Sequence, residues 1–266
     1  MRRVLKLSCL SIMTLLVVIP LLLLVALSFG KGYEFPRVLP AELSFESYKY
    51  LLYEHPRMLS ITWRSIQLSS AVATLSVLLG MLAGKGLSGD FKGKKLIERL
   101  MLLPLLIPIV SVAMGLHIVF IKLHLANKFV GVLLIQTVIA LPYAVLIFTD
   151  LYKLIGEKWF EQGDLYGAVG HKRFMYVTFP LLSEGIISAF GICFIVSFSQ
   201  YFVTVLIGGG RIKTFATEMF PFMNGGDFMI SSSFSVVFLV INVMMLLVME
   251  VIVRSFVRRG YHSIER

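Results

Sequence analysis

Charge is what this chain has least of. Aspartate, glutamate, lysine and arginine make up 15% of its 266 residues, while hydrophobic side chains make up 58% and mean hydropathy is +0.87. A soluble domain carries about a quarter of its residues charged, so an ordinary globular fold is excluded. Cysteine is scarce too: Cys9 and Cys193 both fall within apolar runs, which leaves neither a disulfide framework nor a zinc-ligand set. The histidines, at 55, 117, 124, 171 and 262, are scattered. His117 and His124 are spaced to share a helix face, but no carboxylate or cysteine joins them, so packed or interfacial roles are expected rather than a metal site. A phosphate-binding loop is also missing. Gly208-Gly209-Gly210-Arg211 is glycine-rich but lacks the Gly-Lys-Ser/Thr ending of such loops. The chain is therefore expected to bind no cofactor. No nucleophile–base pair or metal set lies within the apolar runs, which disfavours an intramembrane enzyme.

What the sequence has instead is long apolar stretches separated by blocks of charge. Six are long enough to cross a bilayer, which takes roughly 20 helical residues: about 7–29, 62–84, 100–121, 129–149, 181–207 and 231–253. The first follows Arg2, Arg3 and Lys6 as a signal peptide would. Its apolar run of about 20 residues has no small-x-small cleavage site after it, and signal h-regions are about 7–15 residues long. It reads as an uncleaved helix.

Orientation follows from lysine and arginine. With the N-terminus inside, one side receives Arg2, Arg3 and Lys6, then Lys85, Lys92, Lys94, Lys95 and Arg99. It also receives Lys153, Lys158, Lys172 and Arg173, and finally Arg254, Arg258, Arg259 and Arg266, leaving nine of the 25 for the other side. Both termini and the 151–180 loop are expected to be cytoplasmic. The same flanking pattern explains the net charge of +10 without nucleic acid, because the cations form no continuous stripe.

Between the first two spans, Leu43, Tyr48, Leu51 and Leu52 fit one face of a short interfacial helix. Span two is dense in small residues, from Ser65, Ser69, Ser70, Ala71 and Ala73 to Gly80-Met81-Leu82-Ala83-Gly84. Such residues let membrane helices approach closely, so this span reads as a bundle member. Pro104 and Pro108 near the start of span three, and Pro142 in span four, predict kinks. Polar residues deep in a membrane are functional candidates by default; here they are His117, Gln136, Ser197, Ser199, Gln200 and Asn242. Glu184 and Glu250 lie near inner helix ends, where snorkelling accounts for them. The whole chain, 1–266, reads as a single all-α, polytopic membrane domain.

The loop between spans four and five carries a spaced pattern. Glu161-Gln162-Gly163-Asp164-Leu165-Tyr166-Gly167-Ala168 is followed by Lys172, Arg173 and Val177-Thr178-Phe179-Pro180; Gly167 falls six residues after Glu161, and Pro180 thirteen after Gly167. This resembles the "EAA" loop, Glu-Ala-Ala-(x)3-Gly-(x)9-Ile-x-Leu-Pro, of inner-membrane permease subunits of binding-protein-dependent ABC importers, with a MetI-like fold. In that family the loop is a short helix that docks on a separate ATPase. The resemblance implies Glu161, Asp164, Gly167, Ala168, Lys172, Arg173 and Pro180 as the ATPase-coupling residues of a 161–180 loop. The acid is favoured at a helix start, Gly167 ends or bends the helix, and Pro180 starts span five at a fixed angle. Four positions depart from the pattern. Gln162 and Gly163 stand for the alanines, Val177 for isoleucine and Phe179 for leucine. Gly163 weakens a helix by about 1 kcal/mol relative to alanine, which predicts a shortened or shifted docking helix.

The same resemblance implies partners: two ATPase subunits that use the ATP, a second permease subunit (identical or homologous), a soluble substrate-binding protein and membrane lipid, at the inner membrane of a prokaryote. Because spans three and five line the pathway in that family, His117, Ser197, Ser199 and Gln200 are the implied pathway or gate residues. Ser44-Phe45-Glu46-Ser47-Tyr48, Ser199-Gln200-Tyr201, Gly208-Gly209-Gly210-Arg211, Thr214 and Gly225-Gly226-Asp227 look like the polyamine, thiamine, iron(III) and sulfate branch. The alternatives are a secondary transporter, which needs mid-membrane ionisable pairs and inverted repeats that the sequence does not display, and a non-transporting scaffold.

Overall fold

The structure, a computed structural model, describes residues 2–32, 40, 42–55, 57–156, 158–165 and 170–262, without the side chains of 2–10, 160, 161, 164 and 259–262. Long helices dominate. They are α1 (Arg2–Ser28), α3 (Met58–Ser88), α4 (Lys94–Leu106), α5 (Ile109–Lys122), α6 (Phe129–Ile155), α9 (Phe179–Phe198) and α12 (Phe228–His262). Shorter pieces connect them: β1 (Gly30–Lys31), β2 (Glu42–Leu43), α2 (Glu46–Lys49), α7 (Lys158–Leu165), α8 (His171–Arg173), α10 (Phe202–Gly208) and α11 (Phe215–Gly225). Five helical runs among the described residues are long and apolar enough to cross a membrane, and a bent pair, α4 with α5, makes a sixth candidate.

Two expected spans change shape. Span three is not one helix over 100–121, because α4 and α5 meet at 103°. The break belongs to Pro108. Its ring disfavours the helical region for the residue before it, and Ile107 is extended (φ −88°, ψ 136°). Pro104 lies inside α4 without breaking it. Span five does not begin at Pro180: the helical run starts at His171 and continues through a π turn, Phe174–Thr178, into α9. A proline inside a helix removes a hydrogen bond and crowds the carbonyl one turn earlier; the wider π turn immediately before Pro180 makes room for the ring. The far end of span five is broken too. The helix stops at Phe198 and resumes at Phe202, where the Gln200 N–H bonds the Ser197 carbonyl and the Thr204 hydroxyl bonds the Gln200 carbonyl at 2.6 Å.

The described chain forms two compact units. The first comprises residues 1–60 and 218–241. Here β1 and β2 pair antiparallel, Gly30 opposite Leu43 and Lys31 opposite Glu42. Lys31 donates to Glu46 at 2.8 Å, and that hydrogen bond and charge hold the lysine above its ordinary pKa. Phe29 packs against the rings of Phe45 and Tyr48. The Tyr48 hydroxyl donates to Ser28 Oγ, and the Ser233 hydroxyl to the Ser28 carbonyl, each at 2.9 Å. His55 Nε2 lies 3.2 Å from a Glu218 carboxylate oxygen. The expected helical face of Leu43, Tyr48, Leu51 and Leu52 does not form. Leu43 sits in β2 and is 82% exposed, whereas Leu51, in the π turn after α2, is 2% exposed. Paired backbone claims residue 43 before the helix begins.

The second unit comprises residues 61–217 and 242–266, and α6 is its axis. Buried Ile135, Ile139, Ala140, Ala144 and Phe148 line α6, and α9 packs along it with Leu182, Ala189, Cys193 and Phe194. The small residues of span two serve close approach. A Cβ on Gly80 would lie 2.6 Å from Ala144 Cβ, and one on Gly84 2.6 Å from Phe148 Cβ and 2.8 Å from the Thr149 backbone nitrogen. Lipid supplies no hydrophobic drive for helix association, so such backbone-to-helix contact is what holds α3 on α6. Glu184 and Glu250 both face Arg254, at 3.8 and 2.9 Å. His117 and His124 do not share a helix face, because α5 ends at Lys122 and His124 takes a left-handed φ of 55°.

Gly84→Ala is expected to destabilise the protein by about 1–3 kcal/mol through overpacking. Gly86→Ala, which meets nothing within 4 Å, should be neutral or stabilise by up to about 1 kcal/mol. Thermal unfolding of the detergent-purified variants checks the contrast; equal shifts would refute the α3–α6 contact.

Candidate coupling site

The 151–180 loop folds as a helical elbow. α6 ends at Gly156, whose φ of 73° stops the helix, and α7 follows at Lys158. At eight residues α7 is too short to be stable alone in water. Its described support is Gly163: a Cβ there would sit 3.0 Å from Val177 Cγ2. The two positions where the loop departs from Ala and Ile therefore meet each other. Glycine leaves the space that the branched valine fills, and the cost to helix propensity is offset by that approach.

The other described side chains of α7 are exposed. Trp159 is 56% exposed and Leu165 86% exposed, and Leu154 at the end of α6 is also exposed. Sequence reasoning named the acids and bases of this loop and passed over these apolar residues; their signal was large hydrophobics in an otherwise polar connection. Among the anticipated coupling residues, Glu161 and Asp164 lie on α7 with side chains outside the described set, and Gly167 and Ala168 lie outside the described residues. Lys172 is exposed and Arg173 half-buried on α8. Pro180 is half-buried at the second position of α9, where its carbonyl accepts from the Ser183 hydroxyl at 2.7 Å.

The anticipated pathway residues separate. Ser197, 3% exposed, belongs to a buried polar chain: it donates to Gln136 Oε1 at 2.6 Å, and its oxygen is 3.1 Å from Ser69 Oγ. Gln136, 1% exposed, donates from Nε2 to Thr204 at 2.9 Å, and Thr204 donates to the Gln200 carbonyl. The chain ties α3, α6, α9 and α10 together. Gln200 enters it through its backbone, so its half-buried side chain is left for other contacts. Ser199 is exposed and donates to the Val196 carbonyl at 3.1 Å. His117 is half-buried on α5. Among the described residues no three His, Cys, Asp or Glu side chains cluster as metal ligands do.

These features define a polytopic helical membrane protein with a protruding helical elbow between two packed spans. The chain belongs to the family of binding-protein-dependent transport system inner membrane components, which it matches over residues 76–259, more than half its length. It is 26% identical over 125 residues to the inner membrane ABC transporter permease protein YnjC of Escherichia coli, covering 47% of this chain and 24% of the relative. It is 37% identical over 87 residues to a spermidine/putrescine transport system permease protein PotC homolog of Mycoplasma genitalium, covering 32% and 30%. It is 28% identical over 178 residues to the arabinooligosaccharides transport system permease protein AraQ of Halalkalibacterium halodurans, covering 64% and 62%. The match thus spans from about a quarter to three fifths of these relatives' lengths. In fold it is similar to a chain of a bacterial ABC transporter involved in the import of the acidic polysaccharide alginate, with a TM-score of 0.63, 12% identity and 95% of each chain covered.

Gly163→Leu is expected to lift α7 from the π turn and speed amide exchange over 158–165 by about tenfold, an overpacking cost near 1.4 kcal/mol. Adding Val177→Ala should restore most of the protection. Unchanged exchange in the single variant would refute the Gly163–Val177 contact.

Proposed function

We propose that this chain is a permease subunit of an ATP-driven ABC importer. It forms, with a second identical or homologous permease, the path for a small solute delivered by a soluble binding protein. Counting α4 with α5 as one span gives six, with both termini cytoplasmic, a reading supported by the flanking lysines and arginines. Two ATPase subunits hydrolyse the ATP, and the 161–180 loop receives their movement. No nucleotide or other cofactor resides on this chain.

The observation that carries the reading is α7. A short helix with an exposed tryptophan and leucine, anchored on one side by Gly163 against Val177, has the form of a lever awaiting a groove. Burying both side chains on a partner contributes about 1.5–3 kcal/mol each, enough to stabilise α7 while keeping it joined to α9. Glu161, Asp164, Lys172 and Arg173 supply polar contacts around those anchors, and Gly167 and Ala168 the close approach. Family membership and the importer fold support the same assignment. Ser199, the Gln200 side chain and His117 are the proposed pathway residues, with Ser197 positioning the helices behind them.

The relatives' names include spermidine/putrescine and arabinooligosaccharides, so membership in the family leaves cargo open, and the polyamine-type branch is one reading among these. The test of the coupling reading is a crosslink from Leu165→Cys in membranes that hold the native neighbouring proteins. The expected product joins this chain to an ABC-type ATPase and changes with nucleotide. Absence of a crosslink from both Leu165→Cys and Trp159→Cys, in well-inserted protein, would overturn the assignment in favour of a secondary transporter or scaffold.

A further inference from the structure

A cleft of about 370 Å³ opens in the second unit where α3 and α6 begin and the 211–214 turn passes them. Its size falls within the range of small-ligand sites, about 300–1,000 Å³. Arg64, Arg211 and Lys213 line it together with Gln67, Phe129 and Thr214, and no carboxylate is present in the lining. Among the described residues, no carboxylate lies within 4.0 Å of Arg64 or Arg211. A cleft in the first unit shows the contrast. It also holds cations, Lys31 and Lys49, but Glu46 and Glu54 in its own lining pair with them at 2.8 and 3.6 Å.

The cationic turn is fixed from several directions. Asn127 donates its N–H to the Ile207 carbonyl at 2.7 Å, and its side chain lies against Gly209, which has a left-handed φ of 56° and no space for a Cβ. The Arg211 N–H closes on the Gly208 carbonyl at 3.0 Å. The Thr214 N–H donates to Thr217 Oγ1 at 2.7 Å, and the Phe215 N–H donates to Ser65 Oγ at 2.7 Å, the residue beside Arg64. The guanidinium groups of Arg64 and Arg211 are thus held around one cavity by a rigid frame. Their mutual repulsion is unfavourable unless an anion enters, and guanidinium groups match the planar edge of an oxyanion.

We propose that this cleft binds an oxyanion, carboxylate, sulfate or phosphate, borne by the transported solute or by an anionic lipid headgroup. As a statement about cargo this rests on the importer reading; as a statement about binding it stands alone. A polycation such as a polyamine is disfavoured at this position.

The test is equilibrium binding of radiolabelled sulfate, phosphate and glucuronate to the full chain in phosphatidylcholine nanodiscs, with spermidine as cationic control. Saturable, salt-sensitive binding of at least one oxyanion is expected, weakened tenfold or more by Arg64→Gln with Arg211→Gln, and kept within a few-fold by Arg64→Lys. Arg211→Gln alone, on an exposed turn, serves if the double variant fails to unfold at the wild-type temperature. Doping the discs with phosphatidylglycerol separates the sources: a bound headgroup displaces the probe, or binds where no probe does, in wild type but not in the variants. A solute site leaves the probe's affinity unchanged. The proposal is overturned if neither probe nor anionic lipid binds, if folded variants bind as wild type, or if spermidine binds instead. None of these readouts depends on an ATPase, so failure of the crosslink and failure of this site are separate results.

Discussion

The structure depends on a single constraint: within hydrocarbon every backbone polar group must find a partner inside the protein. That constraint makes the spans helical and forces each interruption to be repaired locally. At Pro108 the repair is a clean break, with the Ile107 N–H bonding the Leu103 carbonyl and α5 restarting at once. At Pro180 it is a π turn, and the helix runs on. Between α9 and α10 it is a hydroxyl, since Thr204 takes the Gln200 carbonyl that the broken helix leaves without its usual partner. Proline and helix ends thus produce different shapes according to which acceptor lies nearby.

The same constraint explains why buried polarity concentrates where it does. Ser69, Gln136, Ser197 and Thr204 satisfy one another across four helices, and each would be costly alone in an apolar bundle. Such a chain fixes register more than it adds stability, because membrane hydrogen bonds average only about 0.6 kcal/mol. Close packing at Gly80 and Gly84 supplies the complementary term, and the two together define where α3 and α9 sit on α6.

What the sequence discloses follows from which interactions are local. The spans are legible because hydropathy is summed over twenty neighbours, and the α3 interface because small residues recur every fourth position. The elbow's spacing is legible as a motif. The partner of each motif residue is not, because Gly163 and Val177 meet across fourteen residues of chain. Read alone, Gly163 is a helix weakener; read with Val177, it is a space. Leu43 misled for the same reason, its helical periodicity being overridden by pairing with Gly30. Pro104 and Pro108 look alike in sequence, yet Pro104 sits inside α4 with helix on both sides, whereas Pro108 follows the extended Ile107 and caps the start of α5.

The exposed residues of α7 and the cationic cleft share a physical logic. Each is a group that the described residues leave uncompensated: apolar area in a polar elbow, and two guanidinium groups, Arg64 and Arg211, with no described carboxylate within 4.0 Å. A chain of marginal stability tolerates such costs at few places, and both places here are held by nearby contacts. Gly163 against Val177 fixes the first, Ser65 and Asn127 the second. Rigid support beneath an uncompensated group lowers the ordering cost of whatever binds there. It also lets force at the elbow pass directly into α9, since the turn that cradles α7 is the first part of that same continuous helical run.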